Sequence, residues 1–320
     1  MAGKKIAVVG AGSMGSAIAE VMAFNGYEVL LKDVRQELVE KGKSRIRKIL
    51  TDLVSYEGSR ATKEIARIEA MGLQLTADQK ETILAKLKPR YDQDFVDQTM
   101  KLIHGTESFN DFGDADIVIE AAFENMSVKK EIFSDISSHS REDTVIASNT
   151  SSLSISAMAG SVSGPDRVVI THFFNPPYTL PLVEIVPALQ TSENTLETVQ
   201  KFIATLRNHR THMVPIRVKE VPGFLVNRML VPMMNEAVFI LDEGVAKAED
   251  IDLAMKTGAG LPMGPLELAD MVGLDITYDV ARVLYEEYGD PKYRPSNLLK
   301  RMVSAGMLGR KSGTGFYKYK

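Results

Sequence analysis

The sequence predicts an α/β protein: a doubly wound, mainly parallel sheet with an inserted helical arm, followed by an all-α C-terminal domain. Three observations predict it. Up to about residue 218, short continuous apolar runs alternate with stretches of helical periodicity, the pattern of a parallel sheet covered on both faces. Residues 58–101 interrupt that rhythm with polar, helix-forming sequence. After Pro222 strand-like runs disappear and only long helical stretches remain.

The elements follow in order. Ile6–Val9 is a buried-strand run, Gly12 to Asn25 a helix with Met14, Ile18, Val21 and Met22 on one face, and Glu28–Lys32 a second strand ending at Asp33. Gln36 to Leu53 is expected to be helical. Three arm helices are expected at about 61–71, 77–88 and 93–101, the second opened by Thr76 and Gln79 as a capping box. Further strands are read at Ile117–Ala121, Thr144–Ala147, Arg167–Thr171, Val183–Val186 and Met213–Val218. Helices are read at Val128–Ser138 and Asn194–Leu206. The C-terminal helices are placed at Gly223–Glu243, Ala248–Thr257, Pro265–Tyr288 and Ser296–Ala305. The domains are therefore drawn as 1–221, with the arm at about 51–101, and 222–320. Apolar residues lie around several C-terminal helices, among them Leu225, Met229 and Met233, so a homodimer through this domain is expected.

Composition narrows the class. The chain has 320 residues, 44% hydrophobic and 25% charged, with a net charge of −4 and no cysteine. That balance offers nothing for nucleic acid or a polybasic membrane contact. Without cysteine there is no disulfide framework, thiolate nucleophile or Cys-ligated metal, and no metal is expected. No stretch approaches the roughly 20 apolar residues of a membrane span. The apolar run after Lys4-Lys5 is too short for a signal peptide and ends in glycines. A cytoplasmic protein is expected.

Gly10-Ala11-Gly12-Ser13-Met14-Gly15 has the form G-x-G-x-x-G between a strand and a helix. Gly10 permits the tight turn, Gly12 a close backbone approach to a pyrophosphate, and Gly15 close packing of helix on strand. The helix N-terminus then presents free N–H groups to the phosphates. Asp33 lies 18 residues after Gly15, near the spacing of a ribose-binding carboxylate. Strand, loop, helix and acid together predict a Rossmann-type domain that binds NAD; the carboxylate repels a 2′-phosphate, and Arg35 nearby works against that preference.

Three more polar clusters follow strand ends or the domain junction: Ser148-Asn149-Thr150-Ser151-Ser152-Leu153, His172-Phe173-Phe174-Asn175-Pro176 with Leu182-Val183-Glu184, and Pro222-Gly223-Phe224-Leu225-Val226-Asn227-Arg228. Taken alone, each has a bland reading. His172 between apolar neighbours reads as a core histidine, Glu184 as an exposed strand residue, Ser151 as a cap for a helix after Ser152, and Asn227 as a helix cap.

These strings, with Gly264–Asp270 (GPLELAD) and Gly309–Tyr317 (GRKSGTGFY), resemble the L-3-hydroxyacyl-CoA dehydrogenase family over nearly the whole chain, and particularly its short-chain bacterial 3-hydroxybutyryl-CoA members. The resemblance implies His172 as general acid/base, Glu184 as its partner, and Ser151 and Asn227 holding the substrate C3 oxygen. For the cofactor it implies Gly10, Gly12, Ser13, Met14, Gly15, Asp33, Glu124, Lys129, Asn149 and Lys311. It also implies an acyl-CoA substrate, acetoacetyl-CoA. A histidine suits the reaction because it titrates where it can both give and take the alcohol proton.

The chain departs from the family at Thr51–Gly58, where lysines for the CoA phosphates are commonly found and none stands here. Arg60 and Lys63 are expected to replace them. Rival readings are a related dehydrogenase of a free hydroxy acid, of gulonate type, and a non-catalytic, crystallin-like NAD-binding protein.

Overall fold

The structure is a computed structural model and describes residues 5–319. Residues 1–4 and the terminal Lys320 lie outside the described residues. The chain divides into two compact units, Met1–Val218 and Lys219–Lys320.

The first unit opens with β1 (Lys5–Val9), α1 (Ser13–Phe24) and β2 (Glu28–Lys32), as the glycine motif requires. Next comes α2 (Gln36–Ala70), a single helix of 35 residues. The sequence reading broke this stretch at Leu53 and restarted it at residue 61. The helix runs through because Leu50, Leu53, Glu57 and Ala61 keep one face buried, while Gly58 meets no neighbour and costs about 1 kcal/mol. The arm is thus the outer half of α2 with α3 (Ala77–Lys86) and α4 (Gln93–Lys101). The capping box forms as read: the Thr76 hydroxyl accepts from Gln79 N–H and the Gln79 side chain accepts from Thr76 N–H. Arg47 on α2 pairs with Asp97 on α4 at 2.8 Å.

The α/β alternation resumes with β3 (Ile103–Thr106), β4 (Ile117–Glu120), α5 (Met126–His139), β5 (Val145–Ser148), α6 (Ile155–Ala159), β6 (Val168–Phe173), β7 (Leu182–Pro187), α7 (Glu193–Thr205) and β8 (Val214–Arg217). β3 was not read from sequence, and α6 entered only as the helix after Ser152 that Ser151 was read to cap. β3 is an edge strand of four residues with its two central ones exposed, too short to show a pattern. The cap of α6 is Ser154, whose hydroxyl accepts from Ala157 N–H, so the capping reading of Ser151 does not hold. The eight strands run in the order β3-β2-β1-β4-β5-β6-β7-β8, all parallel except the antiparallel β6–β7 pair. The order reverses between β1 and β4, and the crevice at such a point is where these sheets take ligands.

The second unit holds α8 (Val226–Asp242), α9 (Ala248–Gly258), α10 (Pro265–Val272), α11 (Leu274–Tyr288) and α12 (Asn297–Ser304). The single helix expected over Pro265–Tyr288 is two, because Gly273 sits at φ 106°, outside the helical region. Buried Asp270 explains the tail motif. It accepts from the N–H groups of Phe316 and Tyr317 and from the Tyr319 hydroxyl. A Cβ on Gly315 would stand 1.9 Å from its Oδ1. The Tyr319 hydroxyl, desolvated beside that carboxylate, is pushed up to about 12. Among the described residues no helix is long and apolar enough to cross a membrane.

Candidate active site

The glycine loop has the geometry its sequence promised. Gly10 lies at φ 101°, and a Cβ there would stand 2.7 Å from the Ala121 carbonyl oxygen at the end of β4. A Cβ on Gly15 would overlap the Gly10 carbonyl oxygen at 1.7 Å. Gly12, by contrast, faces open space with nothing within 4 Å. It is the N-cap of α1 and offers no side-chain acceptor to the first turn. Gly12 and Ser13 are exposed and Met14 is half-buried. An open backbone cradle before uncapped N–H groups suits a pyrophosphate. Asp33 accepts from Ala11 N–H at 2.7 Å through Oδ2, and Arg45 donates to the Ala11 carbonyl at 2.9 Å. The residues present therefore fit the adenosine half of a dinucleotide.

Beyond the glycine loop, the carboxyl ends of β4 and β5 carry a closed hydrogen-bond ring. Glu120, fully buried, accepts at Oε1 from Lys129 Nζ and Ala122 N–H, each at 2.6 Å, and at Oε2 from the Ser148 hydroxyl at 2.6 Å. Ser148 Oγ accepts from Thr150 N–H at 3.1 Å. The Thr150 hydroxyl donates to Glu124 Oε1 at 2.5 Å, and Glu124 Oε2 closes the ring at 3.3 Å from Lys129 Nζ. Lys129 is 1% exposed, whereas Lys130 points to solvent. Burial thus separates Lys129 from its neighbour in the chain. Ser151 N–H points at Glu124 Oε1 from 3.3 Å. Asn149, just past β5, reaches both neighbouring strands: its N–H donates to the Glu120 carbonyl of β4 and its Oδ1 accepts from Phe173 N–H of β6 at 2.9 Å.

His172 and Glu184 meet at the antiparallel pair. They are Cα partners across β6 and β7, and His172 Nδ1 lies 2.8 Å from Glu184 Oε2. Both are buried, and the Phe174 ring lies 4.6 Å from the imidazole. A buried carboxylate on Nδ1 fixes the tautomer and orientation of the ring.

Within the second unit, Asn227 is half-buried in the first turn of α8. Lys311 pairs with Asp275 of α11 at 2.5 Å. On the arm side of the first unit a cleft of about 530 Å³ is lined by Tyr56, Glu57, Arg60, Arg90, His209 and Arg210 among others. Arg60 faces it, held at 3.0 Å by Glu57. Lys63 does not line it and sits 5.8 Å from the Tyr56 ring. Sequence reasoning missed Arg90 and Glu120, and named Ser148 and Thr150 only as members of a polar cluster, without a role. One signal was present for Glu120: a carboxylate inside an otherwise apolar strand must find a partner when buried.

The family model described as 3-hydroxyacyl-CoA dehydrogenase, NAD binding domain, matches residues 5–83 and 67–221, and the model of the C-terminal domain matches residues 223–319. The chain is 40% identical over 316 residues to a 3-hydroxybutyryl-CoA dehydrogenase of Clostridioides difficile, covering 98% of this chain and 99% of that protein. It is 37% identical over 319 residues to the mitochondrial hydroxyacyl-coenzyme A dehydrogenase of Homo sapiens, covering 99% and 91%. A solved structure of (S)-3-hydroxybutyryl-CoA dehydrogenase from Ralstonia eutropha superposes with a TM-score of 0.80 at 39% identity, covering 99% of each chain.

Proposed function

The chain belongs to the 3-hydroxyacyl-CoA dehydrogenase family, and from that premise we propose that it is an NAD-dependent (S)-3-hydroxybutyryl-CoA dehydrogenase, interconverting acetoacetyl-CoA and 3-hydroxybutyryl-CoA, with His172 as its general acid/base. The observation that carries the assignment of His172 is its buried 2.8 Å contact with Glu184.

In the reducing direction His172 donates its Nε2 proton to the C3 oxygen. In the oxidising direction it takes the hydroxyl proton back. Glu184 holds the Nδ1 proton and stabilises the imidazolium. The Ser151 hydroxyl and the Asn227 amide are assigned to the C3 oxygen, where donors stabilise developing negative charge. The glycine loop, Ser13, Met14 and Asp33 would hold the adenosine half of the cofactor. Glu124, Lys129, Asn149 and Lys311 are assigned toward its nicotinamide end. When bound, the reduced nicotinamide supplies the hydride. Arg60 and Lys63 are assigned to the CoA phosphates, a homodimer to the C-terminal helices, and the cytoplasm to the protein's location.

The test compares acetoacetyl-CoA with free acetoacetate, following NADH consumption. Turnover that requires the thioester supports the reading. Equal turnover of the free acid moves the protein to the hydroxy-acid dehydrogenases, and no turnover despite NADH binding makes it a non-catalytic binder.

A further inference from the structure

Resting on the dehydrogenase reading, we propose that Glu120 is a positioning residue for the reaction: it sets the loop that carries Ser151, through the Ser148 hydroxyl on one side and the Lys129 ammonium on the other.

Burying a carboxylate and an ammonium side by side gains little stability over an apolar pair, so the pair is a poor device for holding the sheet together. Its geometry is suited to something else. Glu120 and Ser148 are register partners at the last positions of β4 and β5, the strand ends that face the ligand crevice. From there the two loops diverge. Glu120 fastens both: Ala122 N–H and Lys129 on its own side, Ser148 on the other. Ser148 passes the constraint to Thr150 N–H, and the Thr150 hydroxyl passes it to Glu124. Lys129 reaches the same Glu124 from the other direction. Ser151 is the next residue along and aims its own N–H at that carboxylate. One ammonium is shared by two carboxylates, and Glu124, beside Ser151, is the less buried of them. Glu120 touches no reacting atom in this scheme; it acts through the ring.

The experiment uses the full chain and two variants. Ser148→Ala cuts one arm and keeps the buried ion pair. Glu120→Gln keeps the shape and removes the charge. Amide hydrogen exchange is measured over 121–125 and 148–153 without substrate, and acetoacetyl-CoA reduction is measured beside it. Ser148→Ala is expected to speed exchange at Thr150–Leu153 by about tenfold or more. Its kcat is expected to fall by about tenfold, because small misplacements of reacting groups are costly, while the KM for NADH rises by less, because the adenosine half is held at the glycine loop outside the ring. Glu120→Gln does the same and also loosens 121–125, and the double variant is no worse than Glu120→Gln alone, as for residues acting in series. Unchanged exchange overturns the proposal. So does faster exchange with wild-type kcat, or losses that multiply in the double variant. If Glu120→Gln does not fold, Ser148→Ala decides alone. An inactive wild type overturns the dehydrogenase reading instead, and the exchange result still decides whether the ring holds the loop.

Discussion

His172 and Glu184, twelve residues apart in the chain, face each other as register partners across the antiparallel β6–β7 pair. The reversal at β7 is what makes the pairing local: strand, short excursion, returning strand. His172→Gln is expected to lower kcat by about 100-fold or more, the usual range for removing a general acid/base, with the melting temperature little changed. Glu184→Gln keeps an acceptor for Nδ1 but loses the charge that stabilises the imidazolium, so it falls between wild type and His172→Gln. Wild-type kcat in His172→Gln refutes the assignment.

The glycine loop separates folding from binding. A methyl at position 12 enters open space, so Gly12→Ala is expected to fold with an unchanged melting temperature and to lose NADH affinity by about tenfold or more. A methyl at position 15 collides with the Gly10 carbonyl at 1.7 Å, so Gly15→Ala is expected to lose stability as well, by about 1–3 kcal/mol. Fluorescence titration with NADH and thermal melting read the two effects. Tight NADH binding by Gly12→Ala removes the pyrophosphate from this loop.

What was legible in the sequence follows from how local its cause is. The loop Gly10–Gly15 was legible because a turn, a close approach and a packing contact each demand glycine at a fixed place. The cap at Thr76 was legible because both partners lie within four residues. β3 was not, because its two central residues, His104 and Gly105, are exposed and leave no alternation. The continuity of α2 was hidden by Gly58, whose tolerance depends on an open neighbourhood that sequence does not display. Within the site, His172, Glu184 and Ser151 were singled out by motif, whereas Glu120 was passed over as one residue of an apolar strand. Its partners come from a register, a loop and a helix that only the fold brings together.

The arm cleft bears on substrate affinity. Arg60 is oriented into it by Glu57, and Lys63 stands outside. The double variant Arg60→Ala, Lys63→Ala is expected to raise the KM for acetoacetyl-CoA by about tenfold with kcat nearly unchanged, the signature of lost uniform binding. Added salt is expected to shrink the difference, since exposed charges are screened. An unchanged KM removes both residues from CoA recognition and turns attention to Arg90 and Arg210, which line the same cleft.

Glu57 gives the arm a stability that depends on pH. Its carboxylate accepts from Arg90 Nη2 at 2.7 Å and from Arg60 Nη1 at 3.0 Å. These contacts, Arg90's foremost, hold its pKa down to about 2, against an ordinary value of 4.5. A lowered carboxylate binds fewer protons folded than unfolded, so its contribution is complete above about pH 4.5 and is lost as pH falls toward about 2. Arg90 is half exposed, and solvent screening discounts the pair to roughly 1–2 kcal/mol. Glu57→Gln is therefore expected to melt below the wild type at pH 7, by an amount that stays level down to about pH 4.5. Below that the two melting curves converge. A gap that persists undiminished near pH 2 means that Glu57 acts through packing, and no gap at pH 7 means that the two arginines add nothing to the fold.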